Sequence, residues 1–552
     1  MIKTKTTDIL VLGSGIAGVT SAIFAASKGM SVIMASSAQT FSGSSFYPGT
    51  WGLGLIGPED EEDIDNLIET IHRIGKGIPV KSMVETFVRN LNPVIDEFEK
   101  LGIDLAKPTP GSEQEIEYIP CFDYKIRRWR GLTKENLRSA LPKIMADLNI
   151  EVLPFFEAIE LIKDNDQIKG AVGIKNLKDL MYIKSKATIL ATGGLSGLYK
   201  RYLTTSDVTG VGLAMALRAG AKGVNLEFTQ MMLGFVDPGA KTVHNEKTFT
   251  ASRFYNQKDQ LFLEKALPKD LNRTKILEER RKHGPFSSET ISKFVDVNIF
   301  KEILNQEEKS VTLRYDIDKL NMDADFTKTY FDWLKSEKSI SVTDDIKIAP
   351  YMHASNGGVF INEKSETGVV GLYAAGEVTG GMHGADRIGG LATASGLVFG
   401  KFAGENAADY VLNNEIDLDL SQYKFKEIYI ENAKEKIESL REILDKNAFL
   451  IRSEENLDMA LQQLPDLLKE QKESGSIKDL KRSYHLYNAV ISAMALVSLQ
   501  KARKESRGSH YREDFPNNEE AFTSPLLIAL KPDISIKDDK SDLFKVEKLY
   551  NN

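Results

Sequence analysis

The sequence predicts an α/β fold: a nucleotide-binding domain interrupted by an inserted α+β unit and followed by a helical domain. Three observations predict it. A short apolar run, residues 8–12, ends in Gly13-Ser14-Gly15-Ile16-Ala17-Gly18. Two later apolar runs also enter glycine turns: residues 187–190 before Ala191-Thr192-Gly193-Gly194, and residues 371–377, which read Gly-Leu-Tyr-Ala-Ala-Gly-Glu. Beyond about residue 415, apolar residues recur at three-to-four spacing with charges between them, the period of amphipathic helices.

The first run reads as a strand, with a helix over 19–28 and a second strand over 31–35. This is a βαβ unit carrying the dinucleotide glycine pattern at its first turn. Gly13 permits the tight turn, Gly15 lets the backbone approach a pyrophosphate, and Gly18 lets the helix pack on the strand. Ser14 and Ala17 complete the turn, and the helix N-terminus faces the phosphates. No acid ends the second strand: Ser36 and Ser37 stand where an Asp or Glu would grip a ribose. The fingerprint alone therefore does not choose among dinucleotides.

Residues 235–350 are more charged and lack strand–glycine turns, so they read as the insertion. The expected division is 1–234 and 351–412 for the two parts of the nucleotide-binding domain, with 235–350 as a capping domain. Residues 413–552 form the helical domain, with helices over 423–446, 454–472 and 477–503.

A chain of 552 residues is long enough for two to four packed units. Its net charge of −8 argues against a nucleic-acid partner, which selects a basic face. No stretch approaches the roughly 20 apolar residues of a membrane span. The first residues lack the pattern of a secretion signal, which makes the cytoplasm the expected compartment. A single cysteine, Cys121, excludes an internal disulfide and any Cys-clustered zinc or iron–sulfur site, and no metal is expected. Without a triad-like context Cys121 reads as a packing residue. Any iron–sulfur electron relay would lie in a separate electron-transfer protein.

With these residues in place, the chain resembles the flavoprotein family of succinate dehydrogenase, fumarate reductase and L-aspartate oxidase. The resemblance spans nearly the whole chain in the family's order. It is carried by the first glycine turn, Gly43-Ser44-Ser45-Phe46-Tyr47, residues 191–194, Arg218-Ala219-Gly220-Ala221 and His353-Ala354-Ser355-Asn356-Gly357-Gly358. It continues through residues 371–377, His383-Gly384-Ala385-Asp386-Arg387 and the segment 506–516. It implies a Rossmann-like FAD-binding domain, with the flavin between that domain and the cap. Membrane-complex members carry a flavin-linking histidine where Ser44 stands, so the resemblance implies non-covalent FAD. The cofactor contacts it implies are Gly13, Ser14, Gly15, Ala17, Gly18, Ser36, Ser44, Ser45, Thr192, Gly193, Gly194, Gly376, Glu377 and Ser395. Glu377 is assigned to the ribityl chain.

Hydride transfer beside a carboxylate needs a cationic clamp and a proton donor. Arg387 matches the family's carboxylate-binding arginine, whose planar fork suits that task. His353 matches the substrate histidine, and His383 is expected to shape the loop beside Arg387. Two departures narrow the substrate. Met232 replaces a substrate-contacting histidine, and a thioether does not grip a carboxylate. The cap's Arg-Gly-Glu-Gly-Gly loop is missing, and counting from flanking segments makes Arg253 the proton-transfer candidate. The expected function is an enoate-type reductase acting on a small organic acid with one carboxylate. The alternatives are an amino-acid oxidase resembling L-aspartate oxidase and a flavoprotein electron-transfer subunit.

Overall fold

The computed structural model describes residues 3–50, 53–108, 119–164, 166–322, 324–531 and 543–549. Its central sheet runs, edge to edge, Glu151–Leu153, Val32–Ala35, Lys3–Leu12, Asp179–Leu190, Gln167–Lys175 and Phe156–Asp164, and Leu372–Ala374 also pairs with Asp179–Leu190. The three strands that enter glycine turns are parallel, with Leu12 opposite Leu190 and Leu190 opposite Ala374. Ile9, Leu10, Val11, Ile189 and Leu190 are fully buried, as a sheet covered on both faces demands. This register brings turns as far apart in the chain as Gly13 and Gly376 to one carboxyl edge of the sheet, the usual ligand-binding edge of open α/β sheets.

The helices Ile16–Ser27 and Leu391–Asn413 pack closely, which explains the small-residue composition of the second one. A Cβ at Gly404 would lie 2.4 Å from the Ser21 carbonyl oxygen, and one at Gly400 would lie 2.9 Å from that of Ala17.

Residues between the two parts form a cap with its own apolar core around Phe235, Phe254, Ile299, Leu313 and Tyr330. Its four-stranded antiparallel sheet runs Thr229–Asp237, Ile346–Ser355, Val311–Tyr315, Ser252–Tyr255. The first two strands straddle the boundaries expected at 234/235 and 350/351, so each carries residues of both units. His353 is thereby delivered near the end of a cap strand.

The C-terminal helices are Ala433–Asn447, Glu454–Gln463 and Ile477–Ala502. Two are shorter than their periodicity suggests. Tyr429–Ile430 is a short strand, and the second α-helix gives way to a 3-10 turn, Leu464–Leu468, at Pro465, which has no N–H to continue the ladder. The chain then returns as strands: Leu526–Leu530 pairs with Gly223–Val224 and with Phe544–Lys548. A buried ionic knot reinforces that return. Arg503 donates to Glu227 at 2.6 Å and to Glu505 at 3.0 Å, and all three side chains are fully enclosed. Among the described residues no helix is long and apolar enough to cross a membrane.

Candidate active site between the nucleotide-binding domain and the cap

A cavity of about 500 Å³ follows the carboxyl edge of the central sheet and ends beneath the cap. Its first half is built of backbone. Gly13 has φ +122°, and a Cβ there would meet the Ala191 carbonyl oxygen at 2.0 Å, so the turn accepts only glycine. A Cβ on Gly15 would meet within 4 Å only Ser45 Oγ, at 3.6 Å, which leaves an open cradle at a helix N-terminus. Ser45 also accepts a hydrogen bond from the Ile16 N–H. Ser36 and Ser37 line the far end, where Ser37 Oγ donates to Asp207 at 2.8 Å.

Several buried polar atoms on this cavity have no hydrogen-bond partner among the described residues, among them Ser44 Oγ, Thr192 Oγ1 and Thr209 Oγ1. Buried polar groups are normally satisfied, so this set fits an extended polar ligand laid along the glycine turns. Glu377 Oε1 accepts from the Ser355 N–H at 3.0 Å, and burial raises its carboxyl above the ordinary range. Ser395 Oγ lies 3.3 Å from His383 Nε2 on the same wall.

The second half is a mixed chamber. Arg387 donates through Nε and Nη2 to Gln230 Oε1, at 3.1 and 2.7 Å. Among the described residues no carboxylate lies within ion-pair distance of it. Burial pulls its guanidinium down to about 10, while Glu377 and Cys121 act in the opposite direction. Burial and the Arg387 charge together hold His353 neutral, at about 3. Its Nδ1 is buried and unpartnered among the described residues. Met232, Leu203 and Val243 supply an apolar wall. Cys121 and Glu246 complete the chamber, the thiol donating to Glu246 Oε1 at 3.1 Å. The chamber can thus hold a carboxylate on Arg387 beside a neutral imidazole, with an apolar remainder against Met232.

Residues 8–392 match the family model described as FAD binding domain, and residues 437–545 match the fumarate reductase flavoprotein C-terminal model. The chain belongs to the succinate dehydrogenase, fumarate reductase and L-aspartate oxidase flavoprotein family. It is 30% identical over 415 residues to an uncharacterized FAD-dependent oxidoreductase of Methanocaldococcus jannaschii, covering 71% of this chain and 72% of that one. It is 25% identical over 560 residues to one component of the CoM/CoB fumarate reductase of Methanothermobacter marburgensis, covering 95% and 97%. An L-aspartate oxidase of Clostridium acetobutylicum is 26% identical over 437 residues, covering 75% and 92%. The fold is shared with E. coli quinol fumarate reductase, TM-score 0.78 at 19% identity over 99% of this chain and 97% of that one. This flavoprotein is an FAD-dependent oxidoreductase.

Most of the flavoprotein's sequence-predicted site residues meet on the cavity: Gly13, Ser14, Gly15, Ala17, Ser36, Ser44, Ser45, Thr192, Gly193, Gly376, Glu377, Ser395, His353 and Arg387 all line it. Gly18 and Gly194 do not. A Cβ on Gly18 would strike the Gly13 carbonyl oxygen at 2.1 Å, so it acts by letting the helix approach the turn. A Cβ on Gly194 would sit 2.6 Å from Glu377 Oε1, so its bareness makes room for that carboxyl.

Arg253 requires a correction. It sits on the strand Ser252–Tyr255, the edge of the cap sheet, where Nη2 donates to Asp316 at 2.6 Å, and it does not line the cavity. The strand follows a 3-10 turn, Glu246–Ala251, and of these two segments it is the turn, through Glu246, that reaches the cavity. Cys121, read as a packing residue, instead faces the chamber. Gln230 and Glu246 also escaped sequence reasoning. No spacing signal links positions 121, 230, 246 and 387.

Proposed function

We propose that this flavoprotein reduces the carbon–carbon double bond next to the carboxylate of a monocarboxylic enoate with an apolar or aromatic tail. The observation that carries the reading is Arg387: a half-buried cation on the chamber whose fork rests on an amide oxygen, with no carboxylate among the described residues within ion-pair distance. A substrate carboxylate supplies the missing charge. His353, kept neutral, hydrogen-bonds that carboxylate without adding a second full charge. One strong cation suits one carboxylate, and Met232, Leu203 and Val243 offer the tail an apolar surface.

The FAD is held non-covalently. Gly13, Gly15 and the helix N-terminus hold its pyrophosphate, and Ser44, with its unpartnered hydroxyl, hydrogen-bonds it where a linking side chain would otherwise attach. Bound FAD supplies the two-electron hydride chemistry. The chain's own residues orient the acid, exclude water beneath the cap and manage the proton.

The test is anaerobic photoreduction of the flavin followed by mixing with single acids. Cinnamate is expected to reoxidise it quickly and fumarate slowly. Fumarate turnover as fast as that of the best monocarboxylate would overturn the assignment. Peroxide formation on adding L-aspartate in air would favour the amino-acid oxidase reading instead.

A further inference from the structure

Reduction of an enoate needs a proton at the α-carbon as well as a hydride at the β-carbon, and Arg253, paired with Asp316, does not line the chamber to give it. We propose that Cys121 is the proton donor, resupplied through Glu246; this rests on the enoate-reductase reading. The two side chains come from opposite sides of the seam. Cys121 lies in the segment whose carbonyl accepts from the Gly389 N–H, two residues from the carboxylate clamp, and Glu246 opens a turn of the cap. Their hydrogen bond closes across the cavity's wall at 3.1 Å.

A ligand at this place is indicated independently. The buried Nδ1 atoms of His353 and His383, both on the cavity, have no partner among the described residues, and His383 is only 6% exposed. The other proton carriers named for the chamber are committed, and Glu377 is engaged by the Ser355 N–H at 3.0 Å. Arg387 holds the carboxylate, Tyr47 donates to the Lys241 carbonyl at 2.6 Å, and both histidines are neutral imidazoles, which are very weak acids. Burial and the Glu246 carboxylate push the Cys121 thiol well above its usual range, so it stays protonated until a carbanion faces it.

The step balances as follows. Hydride from the reduced flavin forms the Cβ–H bond, and the π electron pair moves to the α-carbon. The Cys121 S–H bond breaks, and its proton joins that pair as the new Cα–H bond. The thiolate left behind is disfavoured beside a carboxylate, so it recovers a proton that Glu246 draws from solvent. Enoate, hydride and proton become the saturated acid.

The experiment uses the FAD-loaded protein, photoreduced and mixed with cinnamate in the stopped flow. Cys121→Ala should slow reoxidation by roughly a hundred- to ten-thousand-fold, the usual range for a lost general acid. Binding of 3-phenylpropionate, read as a shift of the flavin band, should stay within about threefold, since the substitution leaves the clamp intact. Cys121→Ser should retain part of the rate. Glu246→Gln should slow reoxidation about tenfold or more and change its solvent deuterium isotope effect, which a merely structural glutamate would leave alone. As the chain's one cysteine, Cys121 should take a single iodoacetamide adduct, slowly and only at raised pH because the thiol is held protonated, and 3-phenylpropionate should slow it further. Flavin content and melting temperature identify any variant that misfolds, and Cys121→Ser then carries the test. Cys121→Ala reoxidising at the parent rate, or alkylation indifferent to the acid, overturns the donor assignment alone. A parent enzyme that no enoate reoxidises overturns the function reading, and with it this step.

Discussion

Arg387 and Gln230 show how one side chain prepares another for a ligand. The amide oxygen of Gln230 accepts two N–H groups of the guanidinium and fixes its plane, yet carries no charge to compete with a substrate. A guanidinium so enclosed gains much from a carboxylate, because the attraction acts where water is scarce. Arg387→Ala should therefore weaken acid binding and slow turnover together, by on the order of 2–4 kcal/mol or roughly thirty- to a thousand-fold in kcat/KM. Steady-state kinetics with cinnamate, with FAD content held equal, checks this. A change in kcat alone would show that Arg387 acts only as the proton moves. Cys121 carries the converse lesson. Its thiol donates to Glu246, 125 positions away, and nothing near it in the chain announces that partner.

At the scale of elements, the glycine turns do the work of side chains. The parallel register of Leu12, Leu190 and Ala374 aligns three turns along one sheet edge, and each carries a glycine where a Cβ would crowd a neighbouring backbone or side chain. Gly13→Ala would force a Cβ to 2.0 Å from the Ala191 carbonyl oxygen at φ +122°. It should open the turn and spoil the pyrophosphate cradle, leaving a folded protein with much less FAD. Flavin released into the supernatant by acid precipitation measures both claims. The parent should release all of its flavin, as a non-covalent cofactor requires, and Gly13→Ala should release far less per chain. Flavin remaining with the precipitated parent would contradict the assignment of Ser44.

At the scale of the molecule, function depends on how the cap meets the nucleotide-binding domain. Three contacts cross or flank that seam: Cys121 with Glu246, Phe122 stacked on His283 at 4.9 Å, and Ser287 Oγ donating to Asp386 at 2.6 Å. Burial pushes Asp386 up to about 7, with Glu289 adding to the effect and Ser287 opposing it. A carboxyl whose folded value lies above its unfolded one binds its proton more tightly in the fold. Its stabilising contribution is complete below about 4 and is lost as pH rises to about 7. Asp386→Asn, which does not titrate, should therefore gain stability relative to the parent between pH 5 and pH 7, by up to about 1.4 kcal/mol per pH unit. The difference should level off by about pH 8. Thermal melts of both proteins across that range provide the check, and parallel curves would show that Asp386 is ionised in the folded protein.

The sequence by itself determined the nucleotide-binding half of this protein. Its glycine turns and apolar strands were legible, because each follows from local backbone demands that only certain residues meet. It also placed His353 and Arg387 through motifs whose residues lie close together in the chain. The C-terminal helices were legible as elements, but periodicity did not reveal the returning strand Leu526–Leu530 or its pairing with Gly223–Val224. Tertiary structure alone decided the chamber beneath the cap. Arg253, plausible by counting, is spent on Asp316 at the edge of the cap sheet, while Cys121, Gln230 and Glu246 converge from distant segments. Local pattern encodes what a backbone must do where it stands. Which side chains share a cavity is settled by how separately folded units pack, and that packing leaves no periodic mark on the chain.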